Sequence, residues 1–255
     1  KGYNTDYIGF TESIRPYLKP HHTHALILGT GGASKAVCYA LHQLGIETQY
    51  VSRTAREGIL SYDELTPELM AQHTVIVNTT PVGMYPNTGV SPVDLKAFPK
   101  LEGVLDMIYN PARTQLLLDC EKYGIPGFNG LWMLVAQARE ASEWFQNCTI
   151  PDEKITQIHN LVRAQVENIV LIGMPGCGKT TVGKALADKL GRQFFDADAE
   201  IAKKANMSIP EIFAKEGEEG FRSREIKVLS ELGKQSGLVI ATGGGCVTFS
   251  INHSF

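Results

Sequence analysis

The segment Gly173-Met174-Pro175-Gly176-Cys177-Gly178-Lys179-Thr180 follows the apolar run NIVLIG and precedes the helical pattern TVGKALADKLG. It satisfies GxxxxGK[ST], a spacing whose successive backbone amides curl into a nest for phosphate oxygens. Such a loop joins a strand to the positive end of a helix, so it commits this part of the chain to a parallel α/β sheet. A nucleotide's phosphates are the expected ligand, held by Gly173, Gly176, Cys177, Gly178, Lys179, Thr180 and Thr181. Lys179 would reach the terminal phosphates and the Thr180 hydroxyl would coordinate Mg2+. For Cys177 two readings stand, a reactive thiol near a helix N-terminus and a small loop filler; the second is preferred.

A second glycine turn, Gly29-Thr30-Gly31-Gly32-Ala33-Ser34, lies between the apolar run HALILG and the helical pattern SKAVCYALHQLG. Glycines here let backbone approach a pyrophosphate at a helix N-terminus, so Gly29, Gly31, Gly32 and Ala33 are candidates for dinucleotide binding. QYVSRT, VIVNTT and GVLDMIYNP supply further strand candidates, with helices between them, and the alternation predicts a doubly wound, Rossmann-type parallel sheet. After the second strand an NAD enzyme usually places an acid, but this chain has Ser52, Arg53 and Thr54, with Arg56 close behind. A guanidinium there suits the 2'-phosphate of NADP. The alternative is that Arg53 and Arg56 are solvated surface charges.

Two phosphate loops of different type need two domains, and 255 residues accommodate them. The boundaries are expected at 1–147 for the dinucleotide domain, 148–166 for a linker helix with Ile155, Ile158 and Val162 on one side, and 167–255 for an incomplete P-loop domain of nucleotide-kinase type. A net charge of -3 gives no electrostatic case for nucleic acid or an anionic membrane, which leaves small molecules as the expected partners. No apolar run approaches the ~20 residues of a membrane span and no leader-like segment is expected. Five cysteines without a CxxC pair suggest neither disulfides nor zinc, and a reducing cytoplasm fits them. Oligomeric state is not legible.

The ordered segments GYNTDYIGF, GTGGASKA, SRT, NTTPVGMYP, DMIYNPARTQLL and NGLWMLVAQA resemble the NADP-binding half of shikimate dehydrogenase, over residues 1 to about 146. The resemblance implies that Asp6 contacts the substrate hydroxyls and orients a lysine that supplies charge and a proton when a ketone is reduced. Lys1 does not match that lysine, which the resemblance puts in a domain upstream of these residues. It also implies that Thr79, Thr80 and Met84 border the nicotinamide and its ribose. Tyr109 would lie beside the substrate, Gly130 near the nicotinamide, and Gln137 would bind shikimate. Read without the family, Thr5 or Asp6 is a helix cap, Asn78 a turn former, Met84 and Tyr109 packing residues, and Gln137 an exposed helix position.

In the second half, Phe194-Phe195-Asp196-Ala197-Asp198 follows the next strand, Gly220-Phe221-Arg222-Ser223-Arg224-Glu225 follows a helix, and Ala241-Thr242-Gly243-Gly244-Gly245 ends a third strand. With the P-loop this set resembles shikimate kinase. By that resemblance Asp196 joins Thr180 in holding Mg2+, Asp198 binds the acceptor hydroxyl as a base, and Arg222 pairs with the shikimate carboxylate. Gly243, Gly244 and Gly245 bring backbone against the ring, and Glu225 supports Arg222. The bland readings are a turn for the two aspartates and a surface cation for Arg222.

Beyond GGGCVT the family continues through a lid arginine and a second substrate arginine, whereas here the sequence reads FSINHSF, so slow or absent phosphoryl transfer is expected. The family sheet has five strands with the P-loop strand central. Three are legible here, which would leave that strand at an edge and the second half less stable. The resemblance implies a fused shikimate dehydrogenase and shikimate kinase using NADP, ATP and Mg2+ on 3-dehydroshikimate and shikimate. Two alternatives stay open, a non-catalytic fragment that holds both nucleotides and a quinate/shikimate dehydrogenase.

Overall fold

The computed structural model describes residues 4–248; Lys1 and the FSINHSF end lie outside them. The chain forms two compact units, Lys1–Arg163 and Ala164–Phe255.

In the first unit, α1 (Asp6–Ile14) leads through a 3-10 turn to β1 (His24–Leu28), α2 (Gly32–Gln43), β2 (Glu47–Ser52), β3 (Ile59–Ser61), α3 (Pro67–Gln72) and β4 (Val75–Asn78). Then come β5 (Gly103–Asp106), α4 (Gln115–Tyr123), β6 (Gly127–Phe128) and α5 (Leu131–Gln146). The six strands are parallel and ordered β3-β2-β1-β4-β5-β6. Winding reverses between β1 and β4, and in such sheets the crevice at the reversal is where ligands bind. Alternate side chains of β1 explain the two cores. Ala25 and Ile27 pack with Phe10, Val37 and Leu41 on one face, and Leu26 and Leu28 with Ile76, Val104 and Leu116 on the other. Burial on both faces is why HALILG reads as a continuous apolar run. The short strands β3 and β6 were not expected; three and two residues are too few for a period to register.

Gly9 sets how closely α1 lies on α5, because a Cβ there would stand 2.8 Å from the Met133 carbonyl oxygen and 2.9 Å from the Gln137 nitrogen. The next helix, α6 (Asp152–Val166), lies in the segment expected as a linker, and its apolar side is corrected. Ile155 is buried against Val135, Ala136 and Trp132, Val162 is half-buried, and Ile158 is 44% exposed. The helix is therefore anchored at its first turns, and the division into units falls within it, at Arg163 and Ala164.

The second unit contains β7 (Ile169–Leu171), α7 (Lys179–Leu190), β8 (Phe194–Asp196), α8 (Ala197–Ala205), α9 (Ile209–Gly233) and β9 (Val239–Ala241), with parallel strands ordered β7-β9-β8. Among the described residues the P-loop strand β7 is at an edge, and Ile172 and Val182 beside it are more than half exposed. Its core instead gathers on α8, α9 and β9, around Ile201, Ile212, Val228 and Ile240. The segment Gly220 to Glu225 follows a helix, as expected: α9 is two helices joined at a kink where Gly217 takes φ 69°, and the segment lies early in the second. Stability differs accordingly, because an exposed strand edge opens more readily than a strand paired on both sides. Amides of β1 and β4 are expected to exchange at least about tenfold more slowly than those of β7. Equal protection, measured by hydrogen exchange, would contradict this.

Candidate functional sites

At the end of β1 the Gly29 amide donates to the Val51 carbonyl (2.8 Å), which carries the turn on from the β1–β2 ladder. Gly29 has φ 100°, and a Cβ on it would meet Thr79 Oγ1 and Thr80 Cγ2, both at 2.9 Å. No other residue fits there without displacing both threonines. Gly31 and Gly32 differ, since Cβ atoms on them would enter open space. Gly31 is the N-cap of α2 and no side chain caps this helix, so its first amides face the position a pyrophosphate would take. Ala33 is half-buried in the first turn of α2. Beyond β2, Arg53, Thr54 and Arg56 are exposed after half-buried Ser52, and no ion pair engages either arginine among the described residues.

The ends of β4 and β5 enclose a cavity of about 290 Å³, lined by Thr79, Thr80, Met84, Met107, Ile108 and Tyr109. Met84 and Tyr109, at 45% and 43% exposed, stand at its rim and are not the packing residues their chemistry alone suggests. Gly130 is buried behind its wall, where its amide donates to the Ile108 carbonyl (3.1 Å) and a Cβ would fall on the Met107 carbonyl. Gln137 is half-buried and not exposed; its Oε1 accepts from the Thr5 hydroxyl (3.3 Å), which brings the start of α1, with half-buried Asp6, beside it. The capping expectation is corrected as well. No side chain of Thr5 caps α1, and Asn4 Oδ1 accepts the Asp6 amide (2.9 Å) instead, which leaves the Asp6 carboxylate unused by the helix. Asn78 forms a turn as expected, yet it is fully buried.

The P-loop is open where phosphate would sit: Gly176 and Gly178 have φ 76° and 88°, and Cβ atoms on them would meet nothing. Gly173 has φ 148°, and its Cβ position lies 2.9 Å from the Sγ of Cys177, an exposed residue whose thiol lies against this first glycine of the loop. Lys179 Nζ donates to the carbonyls of Gly173 (2.8 Å) and Met174 (2.9 Å), bent back over the loop it would share with a phosphate. Thr180 and Thr181 are exposed in the first turn of α7.

The Thr180 hydroxyl donates to Asp196 Oδ2 (2.7 Å), while Asp196 Oδ1 accepts the amides of Asp198 and Ala199 and caps α8. One carboxylate oxygen thus holds the helix and the other faces a hydroxyl, a hard oxygen pair that suits Mg2+. Asp198 lies in the first turn of α8. Burial, reinforced by the neighbouring Asp196 charge, raises its carboxyl above the ordinary aspartate range, against the pull of Lys179 and Arg222. Asp198 Oδ1 and Glu225 Oε1 are buried without hydrogen-bond partners, and both converge on the Cβ position of Gly243, at 2.9 and 3.0 Å. Arg222 Nη1 donates to Glu225 Oε2 (3.0 Å), and Arg222 Nη2 stands 2.5 Å from the Cβ position of Gly245. Gly244 lies against Pro175, whose Cδ a Cβ would meet at 2.5 Å. Each of the three glycines is therefore required by a side chain or loop of the site itself.

Sequence comparison bears on both sites. The shikimate kinase family profile matches residues 175–255. A shikimate kinase of Acinetobacter baumannii is 56% identical over 34% of this chain and 49% of its own length. A shikimate dehydrogenase (NADP(+)) of Caldicellulosiruptor saccharolyticus is 35% identical over 61% of this chain and 62% of its own. This chain joins a shikimate dehydrogenase-like part to a shikimate kinase-like part. The crystal structure of the Thermus thermophilus shikimate 5-dehydrogenase, in complex with NADP(H) and shikimate, is 27% identical with a TM-score of 0.54 and covers 63% of each chain. The chain spans about half the length of the kinases it matches and about three fifths of the dehydrogenases.

In the kinase-like part the raised Asp198 carboxyl carries a stability consequence. A carboxyl held above its unfolded value costs stability whenever it is ionised, and this cost fades as pH falls through the folded value toward the unfolded one. Asp198→Asn is therefore expected to stabilise this unit at pH 7, by an advantage that shrinks on acidification, as urea titrations at several pH values would record. In the dehydrogenase-like part, His21, His22 and Glu102 form the only cluster with metal-ligand spacing among the described residues. It precedes β1 and β5, at the opposite end of the strands from the cavity, and is internally satisfied. His22 Nδ1 accepts the Lys19 amide (3.2 Å), so its Nε2 carries the proton toward Glu102. Lys19 and the two imidazoles pull the Glu102 carboxyl down to about 2. No helix among the described residues is long and apolar enough to cross a membrane.

Proposed function

We propose that the protein carrying this chain reduces 3-dehydroshikimate to shikimate with NADPH and then phosphorylates shikimate from ATP. The observation that supports this reading best is the pair of phosphate turns, Gly29–Gly32 and Gly173–Gly178, each bare at its central Cβ positions and each opening a helix without a side-chain cap. Arg53, assisted by Arg56 and flanked by Ser52 and Thr54, holds the 2'-phosphate. Gly31, Gly32 and Ala33 present amides to the pyrophosphate, and Thr79, Met84 and the wall backed by Gly130 receive the nicotinamide. NADPH supplies the hydride when bound. Tyr109, Gln137 and Asp6 orient the ring acid, and Asp6 holds the lysine that protonates the forming alkoxide.

ATP with Mg2+ supplies the phosphoryl group and neutralises its charge. Lys179 exchanges its loop carbonyls for phosphate oxygens, and Gly173, Gly176, Cys177, Gly178 and Thr181 shape the nest around them. Thr180 and Asp196 hold the metal ion. Asp198, with a carboxyl already biased toward the protonated form, accepts the proton of the acceptor hydroxyl, and Arg222, aligned by Glu225, clamps the carboxylate of shikimate across Gly243, Gly244 and Gly245. Small molecules are the partners of both halves, and a cytoplasmic location accords with five widely spaced cysteines that include no CxxC pair.

Fluorescence titration tests the first half directly. Arg53→Ala should weaken NADPH binding by about tenfold, ~1.4 kcal/mol, and leave NADH unchanged. Tighter binding of NADH than NADPH by the unmodified chain would overturn the role given to Arg53.

A further inference from the structure

We propose that Asn78 and Asp106 are a positioning pair that sets the two walls of the nicotinamide cavity as one piece. They are the last residues of adjacent parallel strands, paired in register at the ends of β4 and β5, and are 0% and 1% exposed. Each performs the same local act. Asn78 Oδ1 accepts the amide of Thr80 two residues on (3.0 Å), and Asp106 Oδ1 accepts the amide of Ile108 two residues on (3.1 Å). These side-chain turns shape the two loops that line the cavity. A side-chain bond, from Asn78 Nδ2 to Asp106 Oδ1 (3.0 Å), then couples them, beside the backbone bond from the Met107 amide to the Asn78 carbonyl (2.9 Å).

Three further bonds complete the network. The Thr80 hydroxyl donates to Asn78 Oδ1 (2.7 Å), and the Thr114 hydroxyl donates to Asp106 Oδ2 (2.5 Å) while accepting the Leu117 amide at the N-cap of α4. Burying a carboxylate and an amide in a sheet that is otherwise apolar costs stability, and an apolar pair of the same shape would serve the sheet at least as well. Burial in fact pushes the Asp106 carboxyl above its ordinary range, against its three donors. What the apolar pair cannot do is fix Thr80 and Ile108 at once, and these two residues line the cavity from the loops that follow two adjacent strands. A ring bound between them keeps its geometry only if the walls do not slide past each other.

The inference rests on the NADP reading of this site, and the experiment separates the two. Binding of NADPH and of 2'-phospho-ADP-ribose, which lacks the nicotinamide, is measured on the full chain by calorimetry. Asp106→Asn keeps the side-chain shape but turns an amide nitrogen toward one of the three donors. NADPH affinity is expected to fall about tenfold, while affinity for the fragment stays within about twofold. Thr114 lies outside the cavity lining, so it supplies a second variant if Asp106→Asn does not fold. Thr114→Val should lower NADPH affinity relative to the fragment, and Thr114→Ser, which keeps the hydroxyl, should restore it. Equal losses for both ligands, or no loss for either, would overturn the pair's role. If the unmodified chain binds NADPH no better than the fragment, the inference fails and the NADP reading survives. Binding of neither overturns both.

Discussion

Replacing Gly130 with alanine is expected to destabilise the dehydrogenase-like unit by about 3 kcal/mol or more, lowering its thermal midpoint by roughly 6–12 °C. The backbone dihedrals at this position, φ -76° and ψ 0°, suit alanine, so conformational strain is not the cause. The cause is space. An added Cβ falls on the carbonyl of Met107, whose carbonyl carbon lies 2.6 Å away, and both obstacles are backbone atoms that cannot rotate aside. Relief requires the start of α5 to move off the end of β5, which breaks the bond from the Gly130 amide to the Ile108 carbonyl and shifts one wall of the cavity. Gly31→Ala is the control. Its Cβ enters open space and its φ of -76° is unstrained, so the midpoint should hold while NADPH binding falls. A calorimetric scan in which both variants melt alike would contradict the steric account.

Lys179→Met is expected to weaken ATP binding by about a hundredfold, ~2.7 kcal/mol, and to leave NADPH binding unchanged. Methionine keeps most of the length and apolar stem of lysine but has no ammonium to offer phosphate. It also loses the two bonds to the Gly173 and Met174 carbonyls, so the loop itself is less braced. The loop conformation rests chiefly on the left-handed dihedrals of Gly176 and Gly178, which the substitution does not touch. Folding should therefore persist, and the loss should appear in ATP titrations alone. An unchanged ATP affinity would remove Lys179 from the phosphate site, and a parallel loss of NADPH would point to general disruption.

Much of the architecture was legible because local rules and tertiary packing agree. A doubly buried strand such as HALIL must be continuously apolar, and a glycine-rich loop before a helix has few other uses. Elements below about four residues escaped, as with β3 and β6, because periodicity needs length. At the sites, charge and spacing along the chain singled out Arg53, Lys179 and Thr180 as candidates, while Asp196 was a candidate only through the family resemblance. Asp106 and Thr114 were not singled out, although DMIYNPART was quoted for its resemblance, because a lone buried carboxylate has no period and its partners stand 28 and 8 residues away. Gly220 to Glu225 was legible as following a helix, because a glycine at 217 with φ 69° does end one helix; that a second helix begins at once was not, since glycine content alone reads as a stop.

The order of residues along the chain determined by itself that there are two glycine-rich turns, which helix each one feeds and which charges follow them, since these depend on neighbours within a few residues. Only the tertiary structure decided that Asp198 and Glu225 converge on Gly243, that Arg222 faces Gly245, and that Asn78 and Asp106 meet across two strands. Those meetings join residues brought together by sheet register and helix packing, which act through space and leave no local mark on the sequence.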